Sequence, residues 1–199
     1  MIDFFDRFRA SGALLEGHFV LSSGLHSPKY LQCALALQHP SDAKIYGAAI
    51  ARSLITLTDD RDLAKLEFDT VASPAIGGLI IGFATAEAAG KRFIWTEREN
   101  GEMTLRRGFT LEPGERILVV EDVITTGGST RECIAALEQN GGTVVAAASI
   151  IDRSNGAADV GVPRISLVSI DVPSYPADAC PLCAAGEKAV KPGSRSASK

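Results

Sequence analysis

The stretch RILVVEDVITTGGST, residues 116–130, runs from consecutive apolar residues into two acids, Glu121 and Asp122, and then into a Thr/Gly/Ser turn. An unbroken run of β-branched and apolar residues suits a strand covered on both faces, and this one is expected to end at the acids. STRECIAALEQNGG follows as a helix, with Gly141 at its C-terminal stop. The stretch therefore reads as a buried strand, a Gly-rich turn and a helix.

The same unit recurs to either side. FDTVAS (68–73) is a strand, and GGLIIGFATAEAAG (77–90) is the helix after it, stopped by Gly90. RFIWTE (92–97), TVVAAASIID (143–152) and RISLVSI (164–170) are further strands. Upstream, residues 2–10 suggest a short helix, and 17–33 (GHFVLSSGLHSPKYLQC) a hairpin around Ser-Gly and Ser-Pro turns. Pro40-Ser41 opens a helix to about residue 58, with Ser41 as N-cap. Alternating apolar strands and helices define an α/β fold, a mainly parallel twisted sheet with helices on both faces. In such sheets ligands sit beyond the carboxyl ends of the strands. SPAIGG (73–78), TERENGEMTLRRG (96–108), EDVITTGGS (121–129) and DRSNG (152–156) all fall at that end.

At 199 residues the chain is sized for one domain. An apolar share of 46% and a charged share of 22% are ordinary for a globular protein. A net charge of -4 without a basic block disfavours nucleic-acid binding through a basic patch. The opening MIDFFDRFRASG lacks a signal peptide's basic start and apolar run, which reads as cytoplasmic. Residues 71–90 are apolar, but Pro74, a Gly pair and Glu87 favour strand, turn and helix over a membrane span. No membrane partner is expected.

Cys33 and Cys133 lie in apolar surroundings and read as reduced core residues. Cys180 and Cys183, in CPLC, have chelating spacing, but one pair supplies half of a tetrahedral zinc site. A second pair could come from a dimer mate; the simpler expectation is a reduced pair in a mobile tail. AAGEKAVKPGSRSASK at the end is small, polar and basic, and reads as flexible.

The turn after Asp122 offers backbone N–H groups, hydroxyls and a helix N-terminus to an anion. It is not a Walker A loop, since no Gly-Lys-Ser/Thr follows. Nor is it a dinucleotide fingerprint, because the acids precede the turn and the glycine spacing differs. Acids before an anion-holding turn suit a ligand with vicinal hydroxyls near a phosphate, such as a ribose 5-phosphate. As a bare strand–turn–helix the string also suits a strand ending in solvated acids.

ILVVEDVITTGGST resembles the phosphoribosyl-diphosphate (PRPP) binding motif of type I phosphoribosyltransferases. GHFVLSSGLHSPKYLQC and SIIDR resemble the N-terminal hairpin and the arginine-bearing strand of the orotate-specific members, and with SPAIGG the likeness spans roughly residues 10–156. The resemblance implies a pentosyltransferase of UMP biosynthesis that converts orotate and PRPP to orotidine 5-monophosphate and diphosphate. It also implies Mg2+, held mainly by PRPP, with no protein ligand assigned, and a homodimer. It implies a phosphoribosyltransferase domain over 1–180, with an N-terminal hood over 1–36 and a mobile lid hairpin over 97–109, and leaves 181–199 as the tail.

Carried over by position, Glu121 and Asp122 meet the ribose hydroxyls, and Val123 and Ile124 continue the PRPP motif. Thr125, Thr126, Gly127, Gly128 and Ser129 cradle the 5-phosphate, and Gly77 and Gly78 in SPAIGG let backbone N–H groups approach the diphosphate. Thr125, Arg153, Ser23 and Gly24 contact orotate, Arg153 as a fork for its carboxylate. Tyr30 is open between the pocket and packing, while His18 and His26 read as loop or packing residues. Arg98, counted with Glu121 and Asp122 as catalytic, stands where a cation reaches the diphosphate.

Two departures stand out. The family's lid carries lysines and a histidine, where this one has Glu99, Glu102, Thr104, Arg106 and Arg107; its diphosphate loop has an aromatic-lysine pair where Ile76-Gly77 stand. The cation serving the diphosphate is thus open. A purine or uracil phosphoribosyltransferase and a non-catalytic PRPP-sensing regulator are the alternatives.

Overall fold

The computed structural model describes residues 3–21, 23–56 and 66–192. Residue 2 of the first expected helix, residue 22 of the hairpin, residues 57 and 58 of the helix expected from Pro40 and residues 193–199 of the tail lie outside the described residues. The chain divides into two compact units, Met1–Phe4 with Leu37–Ile170, and Phe5–Ala36 with Asp171–Lys199. The smaller unit takes in segments from both ends of the chain.

In the smaller unit, α1 (Phe4–Ala10, all but its first residue) leads into an antiparallel hairpin of β1 (Leu14–Val20) and β2 (His26–Leu31). The register shifts between Glu16 and Phe19, a bulge that re-aims the residues within it. Phe19 packs its ring on Tyr30 at 5.8 Å, so Tyr30 has a packing role. α2 (Cys33–Leu37) closes the N-terminal part. The C-terminal segment returns to the same hairpin. His26 and Tyr175 exchange backbone hydrogen bonds of 2.8 Å each way, and Val190 accepts from Val20 and donates to His18 at 2.8 Å. Residues 181–192, expected in a flexible tail, instead carry a short helix and this bridge to Phe19. Backbone pairing holds them.

In the larger unit, α3 (Pro40–Thr56) precedes β3 (Thr70–Pro74), α4 (Gly78–Ala89), β4 (Arg92–Glu99), β5 (Glu102–Leu105), β6 (Arg116–Ile124), α5 (Gly128–Gln139), β7 (Thr143–Asp152) and β8 (Arg164–Ser169). The sheet order is β5-β4-β3-β6-β7-β8, parallel except for β5. All five residues of β3 are buried, as expected of an inner strand of a covered parallel sheet. Glycine makes the α4 packing possible: a Cβ on Gly82 would collide with Ser73 of β3, and one on Gly47 with the Ala84 backbone. On the other face, Cys133, Ile134 and Leu137 of α5 bury against Ile94, Ile117, Val119 and Ala147. Burial pushes the Cys133 thiol up to about 12, so it is an inert core cysteine. Cys33 is buried as well.

β6 does not stop at the acids. It runs on to Ile124, because Val123 and Ile124 keep pairing with Ile151 and Asp152 of β7. β4 turns into β5 through Asn100 and Gly101, both at positive φ (53° and 91°), as a tight two-residue hairpin requires. This hairpin, the expected lid, continues the sheet edge, and Met103 and Leu105 pack against the core. The last helix is α6 (Pro181–Ala184). Among the described residues no helix is long and apolar enough to cross a membrane.

Candidate active site

Three residues before the end of β6, Glu121 is 7% exposed and its Oε2, among the described residues, is buried without a hydrogen-bond partner. Burial, and then the charge of Asp122, raises its pKa well above the usual 4.5. Asp122 is half-buried, and its Oδ1 accepts the Val123 N–H at 2.8 Å. The two acids stay within reach of each other: Asp122 acts on the Glu121 carboxyl by charge and by side-chain hydrogen bonding, and both line the same cavity. Glu121 bears electrostatically on Cys133 of α5, whereas a Cβ on Gly77 would stand 2.9 Å from both oxygens of Asp122. Gly77 of SPAIGG and Asp122, 45 positions apart by number, thus meet. Within that loop the Ala75–Ile76 peptide is cis, and the Ala75 N–H donates to Thr96 O at 2.7 Å.

Beyond the acids the chain lines a cavity of about 250 Å³ with residues 121–130. Thr125, Thr126 and Ser129 are exposed there, while Gly127 is buried at φ 76° as it enters α5. Arg131 on the first turn of α5 pins this loop, donating to Thr126 O at 2.9 Å and to Asp159 O. No motif at the sequence level pointed to Arg131. Hydroxyls, loop amides and a helix N-terminus around a polar hollow can hold a phosphate.

Arg153 follows β7, half-buried, and its N–H donates to Ile124 O at 2.8 Å, which ties it beside the loop. Asp152, also missed in the sequence, organises this turn. Its Oδ1 accepts from Ser154 N–H (2.7 Å) and Oγ (2.6 Å), and its Oδ2 from Gly156 N–H (2.8 Å) and Arg164 (3.1 Å). Burial works against the Asp152 charge, but these donors outweigh it and hold the carboxyl below its usual range. A signal was present: an acid followed two residues later by Ser is a side-chain-to-backbone turn.

The lid arginines are engaged by carboxylates. Arg98 donates to Gly101 O at 2.7 Å and pairs with Glu132 of α5. Arg107 forks onto Glu97 at 2.8 and 3.0 Å, and Arg106 reaches Glu99 at 3.1 Å. The structure brings 121–130, Gly77 and Arg153 together, and it turns Arg98 onto α5. Ser23 and Gly24 form the tip of the β1–β2 hairpin in the other unit, where Gly24 (φ 82°) donates to Leu21 O at 2.9 Å. A larger cavity of about 720 Å³ lies at the amino ends of the strands, lined mainly by α3, α4 and Phe68. It lacks the acid–hydroxyl–amide set.

Residues 43–175 match the phosphoribosyl transferase domain, so the chain belongs to that family and has the type I phosphoribosyltransferase fold. Its relatives place it among the orotate phosphoribosyltransferases of the family. The chain is 51% identical to the orotate phosphoribosyltransferase of Pelotomaculum thermopropionicum, over 94% of each chain. It is also 51% identical to that of Caulobacter vibrioides, over 97% of this chain and 96% of the relative. The crystal structure of orotate phosphoribosyltransferase from Aeropyrum pernix superposes with a TM-score of 0.67 at 27% identity, covering 84% of this chain and 94% of that one.

Proposed function

We infer that the protein transfers the 5-phosphoribosyl group of PRPP to orotate, giving orotidine 5-monophosphate and diphosphate on the way to UMP. The observation that carries this reading is one crevice with acids at its mouth and phosphate donors behind. Glu121 and Asp122 accept from the ribose hydroxyls, and Val123 and Ile124 hold the strand under them. Thr125 to Ser129 receive the 5-phosphate, while Gly77 and Gly78 bring backbone to the diphosphate.

In the reaction the C1–oxygen bond to diphosphate breaks as the C1–nitrogen bond to orotate forms. The ring-nitrogen proton is taken up by solvent or the departing diphosphate. Orotate is anionic, so the chain's main tasks are to orient it, to stabilise leaving charge and to exclude water. Arg153, tied to Ile124, forks the orotate carboxylate, with Thr125 beside the base. Arg98 is the nearest lid cation in sequence to the diphosphate, and its exposed pairing with Glu132 is weak enough to exchange.

PRPP would hold most of a magnesium ion's coordination shell, and the hard oxygens of half-buried Asp122, which adjoin Gly77 of the diphosphate loop, are the chain's donors that fit the rest. Bound there the ion would neutralise diphosphate charge. The reading extends to a cytoplasmic homodimer. Ile76, Ile80 and Phe83 expose 84%, 48% and 61% of their surface around α4, an apolar patch suited to a partner.

The test is turnover with PRPP and magnesium on orotate, adenine, hypoxanthine and uracil. Orotate alone should react, and Arg153→Ala should raise the orotate KM about tenfold or more, the loss of a charged hydrogen-bonded pair. Turnover of adenine without orotate would overturn the reading, as would an unchanged orotate KM overturn the assignment of Arg153.

A further inference from the structure

CPLC and the two hairpin histidines, which the catalytic reading leaves unused, come together in the smaller unit. His18 Nε2 lies 2.8 Å from His26 Nδ1 and 3.5 Å from Cys180 Sγ; Cys183 Sγ lies 3.2 Å from His26 Nδ1 and 3.7 Å from His18 Nε2. One ligating atom from each residue falls within 4.8 Å of every other. Zinc–sulfur and zinc–nitrogen bonds of about 2.3 and 2.0 Å in a tetrahedron put S and N roughly 3.5 Å apart. The three sulfur–nitrogen distances bracket that value.

The surroundings are built for it. The bulge between Glu16 and Phe19 holds His18, and its Nδ1–H donates to Glu187 O at 2.9 Å. That second bond leaves the Nε2 lone pair facing the cluster, the outer-shell arrangement typical of a metal-bound imidazole. Cys180 and His18 are buried, so water is kept from two of the four donors. All four cysteines of the chain are free thiols.

We propose that His18, His26, Cys180 and Cys183 bind one Zn2+ in a closed Cys2His2 site that fastens the C-terminal segment to the N-terminal hairpin. Soft thiolates with imidazoles select zinc over magnesium or calcium. Four protein ligands leave no open position, so the site is structural. The need is physical: a unit of roughly sixty residues has little core, and small units of that size commonly rely on a staple. The ligands join residues 18 and 183, which are 165 positions apart. The pair in CPLC is thus completed by the same chain and not by a dimer mate.

The experiment is metal analysis of the full chain, purified without chelator and also refilled with Zn2+ or Co2+ after chelation. About one zinc per chain is expected, with the visible bands of tetrahedral cobalt thiolate in the Co2+ form. Cys180→Ser/Cys183→Ser should lose the metal, and Cys133→Ser should keep it. Chelation should lower Tm by several degrees and Zn2+ should restore it. Absence of zinc binding in the native chain would overturn the proposal, as would a Cys180–Cys183 disulfide found by mass or full metal retention in the double variant. Metal content is read without turnover, so this result is separable from that of the proposed function.

Discussion

At Glu121 a carboxyl whose Oε2 is buried without a hydrogen-bond partner among the described residues stands beside a second acid near the end of β6. Burial first, and Asp122 second, raise its pKa above the usual 4.5. An acid with a raised folded pKa contributes stability that is full below its unfolded value and lost as pH rises through the folded one. Glu121→Gln removes that loss. Its Tm should therefore exceed the parent's by a few degrees near about pH 8, with no gain near about pH 4, while PRPP turnover falls sharply. A Tm difference that is the same at both pH values would contradict the assignment. The stability given up at this position is what a ligand hydroxyl recovers, the usual trade at a working site.

Among the elements, the junction of β6 and α5 has the least freedom. Gly127 sits at φ 76°, and a Cβ there would come 2.8 Å from Val160 Cγ1; at Gly128 it would meet only Thr126 Oγ1 at 3.6 Å. Gly127→Ala combines left-handed strain with that collision and should cost about 1–3 kcal/mol in urea unfolding, whereas Gly128→Ala should cost less than half as much. Equal losses would mean that the loop conformation is not what demands glycine. The glycines were visible in the sequence as a turn before a helix. Which of them is obligatory was not, because Val160 and Asp159 press on Gly127 from far along the chain. The strand end was misplaced for a related reason. Acids look like a terminus, but pairing of Val123 and Ile124 with β7 extends the strand past them.

For the whole molecule, the exposed apolar surface around α4 is Ile76, Ile80 and Phe83, with half-buried aromatic rings behind it. Phe83, Phe93, Trp95 and Phe109 form consecutive ring contacts at 6.1, 6.1 and 4.6 Å, with Ile80 and Ile76 exposed nearby in sequence. If this face joins two copies, Phe83→Glu should convert a dimer to a monomer in sedimentation equilibrium, with little change in the Tm extrapolated to low protein concentration. A parent chain that sediments as a monomer at tens of micromolar would remove the homodimer from the reading.

The amino-acid sequence by itself determined the α/β order, the parallel sheet, the acid–acid–hydroxyl–glycine loop and the arginine after β7. Each is written in a contiguous run, where side-chain period and local donors decide the outcome. Tertiary structure alone decided that Gly77 abuts Asp122, that Arg164 reaches Asp152 and that Arg98 rests on Glu132. It also decided that CPLC faces His18 and His26, so that a half-site in a supposed tail became a four-donor cluster. No spacing rule reaches from residue 18 to residue 183; only backbone pairing of the two chain ends on one hairpin brings those atoms within bonding range of one ion.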